Sequence, residues 1–229
     1  MKRIGILGGL TAESTTLFYN SLTRLYIAQH GDNGYPEIVI FSVRFQHFFN
    51  AFKQGDWEYC AQYLASGINQ LEKAGADFAV ISANMPHVLF DDIVKRVSLP
   101  LIHIADTVAE AAQAKGYKKV SLLGTLATMN ASFYPDRLSN YQIECIVPDE
   151  PQKEMVHQVL ENELFKGIIK EESKTAYLKL IHELKEKGAE AVILGCTEIP
   201  MLINSENSPL PLLDSSLILA QATLDKALN

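Results

Sequence analysis

The sequence predicts an α/β protein of two similar lobes, each a mostly parallel sheet flanked by helices. Apolar, β-rich runs alternate with segments of helical period along the whole chain. The apolar runs are continuous rather than alternating, which is typical of strands buried on both faces of a parallel sheet. An internal repeat indicates that the chain contains this arrangement twice.

Eight apolar runs are the candidate strands. They are 3–7, 37–42, 77–82, 100–104, 119–123, 142–147, 191–195 and 211–214. Amphipathic segments between them predict the helices. These are 56–74, 105–116, 151–166 and 171–188, with a last helix at 215–228. Thr11, Ser14 and Thr15 follow the first strand and its glycines, so they open a further helix.

Two pairs of segments repeat at nearly the same spacing. "KRIGILGGLTA" at 2–12 aligns without gaps on "KKVSLLGTLAT" at 118–128, which lies 116 residues later. "INQLEKAGADFAVISAN" at 68–84 aligns on "IHELKEKGAEAVILGCT" at 181–197, which lies 113 residues later. Two matches in the same order, separated by nearly the same number of residues, favour a duplicated lobe over coincidence.

The duplication predicts where the domains and the site lie. We expect a first lobe at 1–98 plus 210–229 and a second lobe at 99–209, related by pseudo-two-fold symmetry. Ligands of open α/β sheets bind beyond the carboxyl ends of the strands. The predicted site is therefore a cleft between the lobes, lined by the loops "GGLTAEST", "SANMPH", "GTLATMN" and "GCTEIP".

Composition narrows the function classes. The chain has 229 residues, 48% of them apolar and 21% charged, which is an ordinary soluble balance. Its net charge of -7 disfavours sequence-independent nucleic-acid binding, and no apolar run reaches the ~18 residues of a membrane span. Cys60, Cys145 and Cys196 are widely spaced without CxxC, which disfavours a disulfide framework or a metal site. We expect a cytoplasmic protein.

The four loops carry hydrogen-bonding side chains but no nucleotide-binding motif. The glycine turn after the first strand suits an anion, yet it lacks both G-x-G-x-x-G and G-K-[ST]. Thr125 and Thr128 can donate to a carboxylate or cap their own helix. Asn84 offers an amide at a strand end. His87 could titrate near neutrality, although a lone histidine is more often structural.

Cys196 stands at the carboxyl end of a strand, between Gly195 and a Thr-Glu pair. A following helix start would stabilise its thiolate and move its pKa below the free value of about 8.5. The alternative is a small buried hydrophobe, which fits Cys60 and Cys145 better. In the repeat, Ala83 is the counterpart of Cys196.

The same residues resemble the aspartate/glutamate racemase family along essentially the whole chain. The matching pieces are "GILGGLTAEST", "ISANMPH", "LLGTLATM", "FY" at 133–134, "GCTEIP" and "PLLD". The resemblance implies a homodimer of two-lobed subunits that uses no metal, no pyridoxal phosphate and no other cofactor. In the usual members, one cysteine thiolate removes the substrate's α-proton and an opposite cysteine returns a proton, which inverts the stereocentre.

Carried over residue by residue, the resemblance makes Cys196 one acid/base of the reaction. It also assigns substrate-binding positions. These are the backbone near Leu10 and the side chains of Asn84, Thr125, Thr128 and Thr197. Lys166 lies near a basic position of some aspartate-specific members. The departure is Ala83, which occupies the first-lobe cysteine position and has no proton to exchange. His87 or a trapped water could take the missing role.

We therefore expect a racemase of an acidic amino acid, of the aspartate or glutamate class, with an unconventional group opposite Cys196. Two alternatives remain open. One is a single-cysteine decarboxylase or isomerase of a dicarboxylate. The other is a catalytically impaired descendant that still binds carboxylates.

Overall fold

The computed structural model describes all residues from Met1 to Asn229 and contains eight strands, one on each predicted run. The strands are β1 (Ile4–Gly8), β2 (Ile38–Ser42), β3 (Phe78–Ile81), β4 (Leu101–Ile102), β5 (Lys119–Leu123), β6 (Glu144–Ile146), β7 (Ala191–Leu194) and β8 (Leu212–Asp214). All strand pairs are parallel. The α/β fold class is confirmed.

Ten α-helices connect the strands. They are α1 (Ala12–His30), α2 (Phe45–Lys53), α3 (Trp57–Lys73), α4 (Phe90–Val94), α5 (Ile104–Ala114), α6 (Leu126–Asn130), α7 (Phe133–Ser139), α8 (Glu150–Asn162), α9 (Glu171–Glu186) and α10 (Ser215–Leu228). Three 3₁₀ turns lie at Met85–Leu89, Leu164–Lys166 and Ile199–Met201. None of the helices combines the length and apolarity needed to span a bilayer.

The two sheets have the same strand order. The first is β2-β1-β3-β4 and the second is β6-β5-β7-β8. The segments that repeat in the sequence contain the central strands of these sheets, with β1 equivalent to β5 and β3 equivalent to β7. The structure therefore contains one topology twice, as the internal repeat predicts.

The chain divides into two units at other positions than we expected. Met1–Ile104 and Leu219–Asn229 form the first unit, and Ala105–Ile218 forms the second. β4 pairs with β3, so the second lobe does not begin at residue 99. β8 pairs with β7, so residues 210–218 belong to the second unit and the chain returns only within α10.

Each unit buries its central strands under a helix. In the first unit, Cys60, Leu64, Ile68 and Leu71 recur at helical spacing along α3 and pack in one cluster with Leu7. In the second unit, a stripe of α9 packs with the residues of β7. It comprises Tyr177, Leu180, Ile181 and Leu184. Each such large side chain contributes roughly 1.5–3 kcal/mol when it is removed from water.

A tight turn links β1 to α1. Gly9 has a φ of +79°, and its N–H donates to the Thr15 hydroxyl at 2.8 Å. That hydroxyl donates to the Thr11 carbonyl at 2.8 Å. Thr11 caps α1 by accepting from the Ser14 N–H at 3.1 Å. A Cβ on Gly9 would lie 2.6 Å from the Val43 nitrogen, so only glycine fits this turn.

We predict that Gly9→Ala destabilises the protein more than Gly116→Ala. Both glycines have a positive φ, so both substitutions carry backbone strain of about 1–3 kcal/mol. Nothing lies within 4 Å of a Cβ on Gly116, whereas Gly9 adds an overpacking cost of about 1–3 kcal/mol. Urea unfolding of the two variants measures the difference, and equal free energies of unfolding would contradict this reading of the turn.

Candidate active site

Two loops of the second unit begin side by side, because β5 and β7 are neighbours in the sheet. The Gly195 N–H donates to the Leu123 carbonyl at 2.7 Å. A Cβ on Gly124 would lie 3.1 Å from the Gly195 carbonyl oxygen, and one on Gly195 would lie 3.3 Å from the Thr128 Cγ2. Glycine at both strand ends thus lets the threonine loop approach the cysteine loop closely.

Cys196 follows β7 by two residues and is partly buried against the core of the second unit. Its Sγ lies 3.0 Å from the Glu198 Oε2 and donates to it. The Thr197 Oγ1 donates to the same oxygen at 2.7 Å. Glu198 is buried, with 8% of its surface exposed, so this carboxylate is largely removed from water.

The pKa of the Cys196 thiol is raised well above its usual value. Burial is the largest cause, followed by the charge of Glu198 and the hydrogen bond to its carboxylate, while the backbone N–H groups of Thr197 and Glu198 oppose the rise. The sequence-based expectation of a lowered pKa was therefore wrong. Only a three-residue 3₁₀ turn follows the loop, and a buried carboxylate disfavours an adjacent thiolate.

Glu198 is the residue of this site that the sequence analysis missed. The signal was present, because Glu198 is the last residue of the "GCTE" segment. Spacing along the chain does not show that its side chain turns back to the cysteine two positions earlier. The 3₁₀ turn that begins at Ile199 makes this reversal possible, and the Ile199 N–H donates to the Cys196 carbonyl at 3.3 Å.

Thr125 and Thr128 interact with each other at the end of β5. Thr125 is the N-cap of α6, and its Oγ1 accepts from the Thr128 N–H at 3.3 Å. The two hydroxyl oxygens are 3.1 Å apart. Each hydroxyl has one hydrogen, and this contact uses one of the two. Thr125 therefore caps α6, which is one of the two roles predicted for this pair. The hydrogen of the other hydroxyl is not used in the contact between the two threonines.

The loops after β1 and β3 are neighbours in the first unit. The Ser82 N–H and hydroxyl both bond to the Leu7 carbonyl, at 3.1 and 3.3 Å. Leu10 and Asn84 are buried. Ala83 is partly buried against the core of this unit and follows β3 by two residues, as Cys196 follows β7. The position equivalent to the thiol is thus a methyl group.

His87 lies in the 3₁₀ turn after Ala83 and is only 1% exposed. Its Nδ1 is 2.9 Å from the Ala83 carbonyl oxygen and 3.3 Å from that of Asn84, so Nδ1 carries the hydrogen. Its ring stacks on Phe90 with 5.6 Å between centroids and meets His103 edge-on. These contacts are those of a structural group, and a direct role for His87 stays a prediction.

Lys166 is exposed at the end of the 3₁₀ turn Leu164–Lys166. This turn is anchored by the buried Glu163, which accepts from the Ser173 hydroxyl at 2.6 Å and from Lys170 at 3.2 Å. The same hydrogen bond from Ser173 is the main cause that lowers the pKa of Glu163. No three His, Cys, Asp or Glu side chains lie together in a geometry that could hold a metal ion.

A profile of the Asp/Glu/Hydantoin racemase family matches residues 7–223. The chain belongs to this family. Relatives of the chain are named as racemases, which are isomerases, and the resemblance seen in the sequence is confirmed at the level of the family.

Relatives of this racemase-family protein match it over nearly their whole length. A broad specificity amino-acid racemase of Bacillus subtilis is 28% identical, with 96% of each chain covered. A crystal structure of an aspartate racemase homologue from Pyrococcus horikoshii is 35% identical, with both chains covered in full and a TM-score of 0.89. The structure of the Picrophilus torridus aspartate racemase is 26% identical, with 99% and 94% covered and a TM-score of 0.73.

We predict that Thr125→Ala lowers the free energy of unfolding by about 1 kcal/mol, because it removes the side-chain cap of α6. Ser132→Ala is the matched control. Ser132 is the N-cap residue of α7 and is exposed, but its side chain makes no capping hydrogen bond. Chemical denaturation measures both variants, and an equal cost would show that the Thr125 hydroxyl does not stabilise the helix.

Proposed function

We propose that the protein is a cofactor-independent racemase of an acidic amino acid and that Cys196 transfers the proton at the α-carbon. The placement of Cys196 carries this proposal, together with membership of the family. Cys196 follows a central strand and contacts polar side chains. Cys60, in contrast, is fully buried in α3, and Cys145 lies inside the strand β6 rather than beyond a strand end.

The reaction needs donors that hold the substrate carboxylate. An α-proton is a very weak acid beside a negative carboxylate, so preorganised hydrogen bonds must stabilise the charge that develops when it leaves. We assign this role to the loop residues predicted from the sequence. They are the backbone near Leu10 and the side chains of Asn84, Thr125, Thr128 and Thr197.

The contacts in the second unit limit how two of these donors can act. One hydrogen of the Thr125 and Thr128 hydroxyl pair stays available for a substrate oxygen. The Thr197 hydroxyl already donates to Glu198, so a bond from Thr197 to the substrate would replace that contact. Lys166 is exposed, and its charge suits the second carboxylate of an acidic substrate.

The second proton transfer cannot use the residue equivalent to Cys196. Ala83 has only a methyl group, so we assign proton transfer at the opposite face of the substrate to His87 or to a water molecule. The His87 Nδ1 bonds to the Ala83 carbonyl, which leaves Nε2 as the ring atom for any transfer.

Ala83 also favours a second candidate function. A reaction that needs one thiol, such as decarboxylation or isomerisation of a dicarboxylate, would not suffer from the missing cysteine. The same residue supports the third candidate, a catalytically impaired protein that still binds carboxylates.

Exchange of the α-proton in D₂O separates these functions. We expect the α-proton NMR signal of aspartate or glutamate, supplied as either enantiomer, to disappear while the opposite enantiomer accumulates. Exchange with retained configuration would show that only one face is active. Carbon dioxide release from a dicarboxylate would support decarboxylation, and binding without exchange would leave the impaired descendant.

Replacing Cys196 tests its role directly. We predict that Cys196→Ser lowers the exchange rate by about 10²–10⁴-fold, because a serine hydroxyl is a poor base at this position. Cys145→Ser makes the same chemical change in the same unit and should keep the rate. Equal activity of Cys196→Ser and the unmodified protein would make Cys196 structural.

Restoring the second thiol tests the assignment of Ala83. We predict that Ala83→Cys increases the rate of racemisation, because it supplies a proton donor at the position equivalent to Cys196. Circular dichroism of the two enantiomers measures this rate. An unchanged rate in a folded variant would show that the opposite face does not depend on residue 83.

We include a homodimer and a cytoplasmic location in the proposal. Ile40 and Phe41 support the dimer, because they are exposed apolar residues on the edge strand β2. Light scattering coupled to gel filtration measures the oligomeric state.

A further inference from the structure

We propose that Glu198 is a positioning residue that shares one proton with Cys196 and so decides when the thiol acts as an acid and when it acts as a base. The inference deepens the proposed function, because it rests on proton transfer by Cys196. Its basis is the geometry of the loop after β7.

One oxygen of Glu198 receives two hydrogen bonds from its own loop. The Cys196 thiol donates to Oε2 at 3.0 Å and the Thr197 hydroxyl donates to it at 2.7 Å. The carboxylate is largely buried, so water does not compete well for that oxygen. Before a substrate binds, the Thr197 bond fixes the direction of the carboxylate, which places Oε2 in reach of the sulfur.

A partly buried carboxylate of the same unit shows what a purely structural role looks like. Asp214 accepts from the backbone N–H groups of Ser216 and Leu217, at 3.0 and 3.1 Å, at the start of α10. Backbone groups do not titrate, so Asp214 only caps the helix. Glu198 instead bonds to a thiol, which can give up its proton.

The pair can hold its single proton in two ways. With the proton on sulfur, the carboxylate is ionised and stabilised by two hydrogen bonds. If the proton moves to Oε2, the S–H bond breaks, an O–H bond forms and a thiolate appears, with the charge of the pair unchanged. Both groups ionised at 3.0 Å would place two negative charges together, which is strongly disfavoured.

This exchange supplies both directions of the reaction without another reactant. The thiolate takes the α-proton, so that the C–H bond breaks, an S–H bond forms and the electron pair stays on the substrate carbon. Glu198 keeps its proton during this step. In the reverse direction the thiol gives its proton to the carbon, and the proton of Glu198 returns to sulfur. Every proton and electron pair is accounted for.

Two measurements on Glu198→Gln test the proposal. The first is alkylation of Cys196 by iodoacetamide at several pH values, followed on the Cys196 peptide by mass spectrometry. The amide removes the negative charge beside the sulfur, so we expect the reactivity profile to move to lower pH and alkylation at pH 8 to be about ten-fold faster. The second is α-proton exchange in D₂O, which we expect to fall by about 100-fold.

Faster alkylation of Cys196 together with slower α-proton exchange in Glu198→Gln is the diagnostic result. Damage to the loop would change the rate of alkylation without shifting its pH profile. Glu206→Gln is the matched control, since Glu206 is an exposed glutamate of the same unit. It should change neither measurement. Glu198→Asp keeps the charge but shortens the side chain, so it should shift the alkylation profile less than Glu198→Gln does. It replaces Glu198→Gln in both measurements if that variant does not fold.

An unchanged alkylation profile in both Glu198 variants would overturn the proposal. So would a shifted profile with an unchanged exchange rate, because the shared proton would then play no part in the reaction. If the unmodified protein exchanges the α-proton of no amino acid, the proposed racemase function fails. The alkylation profile still decides in that case whether Glu198 and Cys196 share a proton.

Discussion

The contact between the Cys196 thiol and the Glu198 carboxylate sets the chemistry that this site can perform. Burial is the largest cause that raises the pKa of the Cys196 thiol, and the carboxylate at 3.0 Å raises it further, so the sulfur keeps its proton. A site built for a permanent thiolate would present positive charge to the sulfur. This one presents a proton acceptor, which suits a group that has to gain and lose a proton in the same reaction cycle.

The fold brings these side chains together through the ends of parallel strands. β5 and β7 are adjacent, and Gly124 and Gly195 allow their loops to pack without an intervening side chain. The same order of strands in the first unit places the loop that contains Ala83 beside the glycine turn of Gly9. Duplication therefore produces two equivalent loop pairs, of which only one retains a thiol.

Much of this arrangement was predictable from the sequence. Continuous apolar runs located all eight strands, and the repeat indicated the duplicated topology, because both depend on local pattern. The boundary between the two units was not predictable from the sequence. It depends on the pairing of the short strand β8 with β7, which no local pattern indicates. The pKa of Cys196 was predicted in the wrong direction, because burial of the thiol and the orientation of Glu198 both depend on how the loop before the 3₁₀ turn folds, which no sequence pattern indicated.

The protonation state of Cys196 is measured most directly by NMR of protein labelled with ¹³C at the cysteine Cβ atoms, because the Cβ shift reports whether the sulfur carries a proton. Comparison with a Cys196→Ser sample assigns the signal. We predict that the Cys196 signal stays at the thiol position from pH 6 to beyond the ordinary cysteine value of about 8.5. A signal at the thiolate position near pH 7 would contradict it.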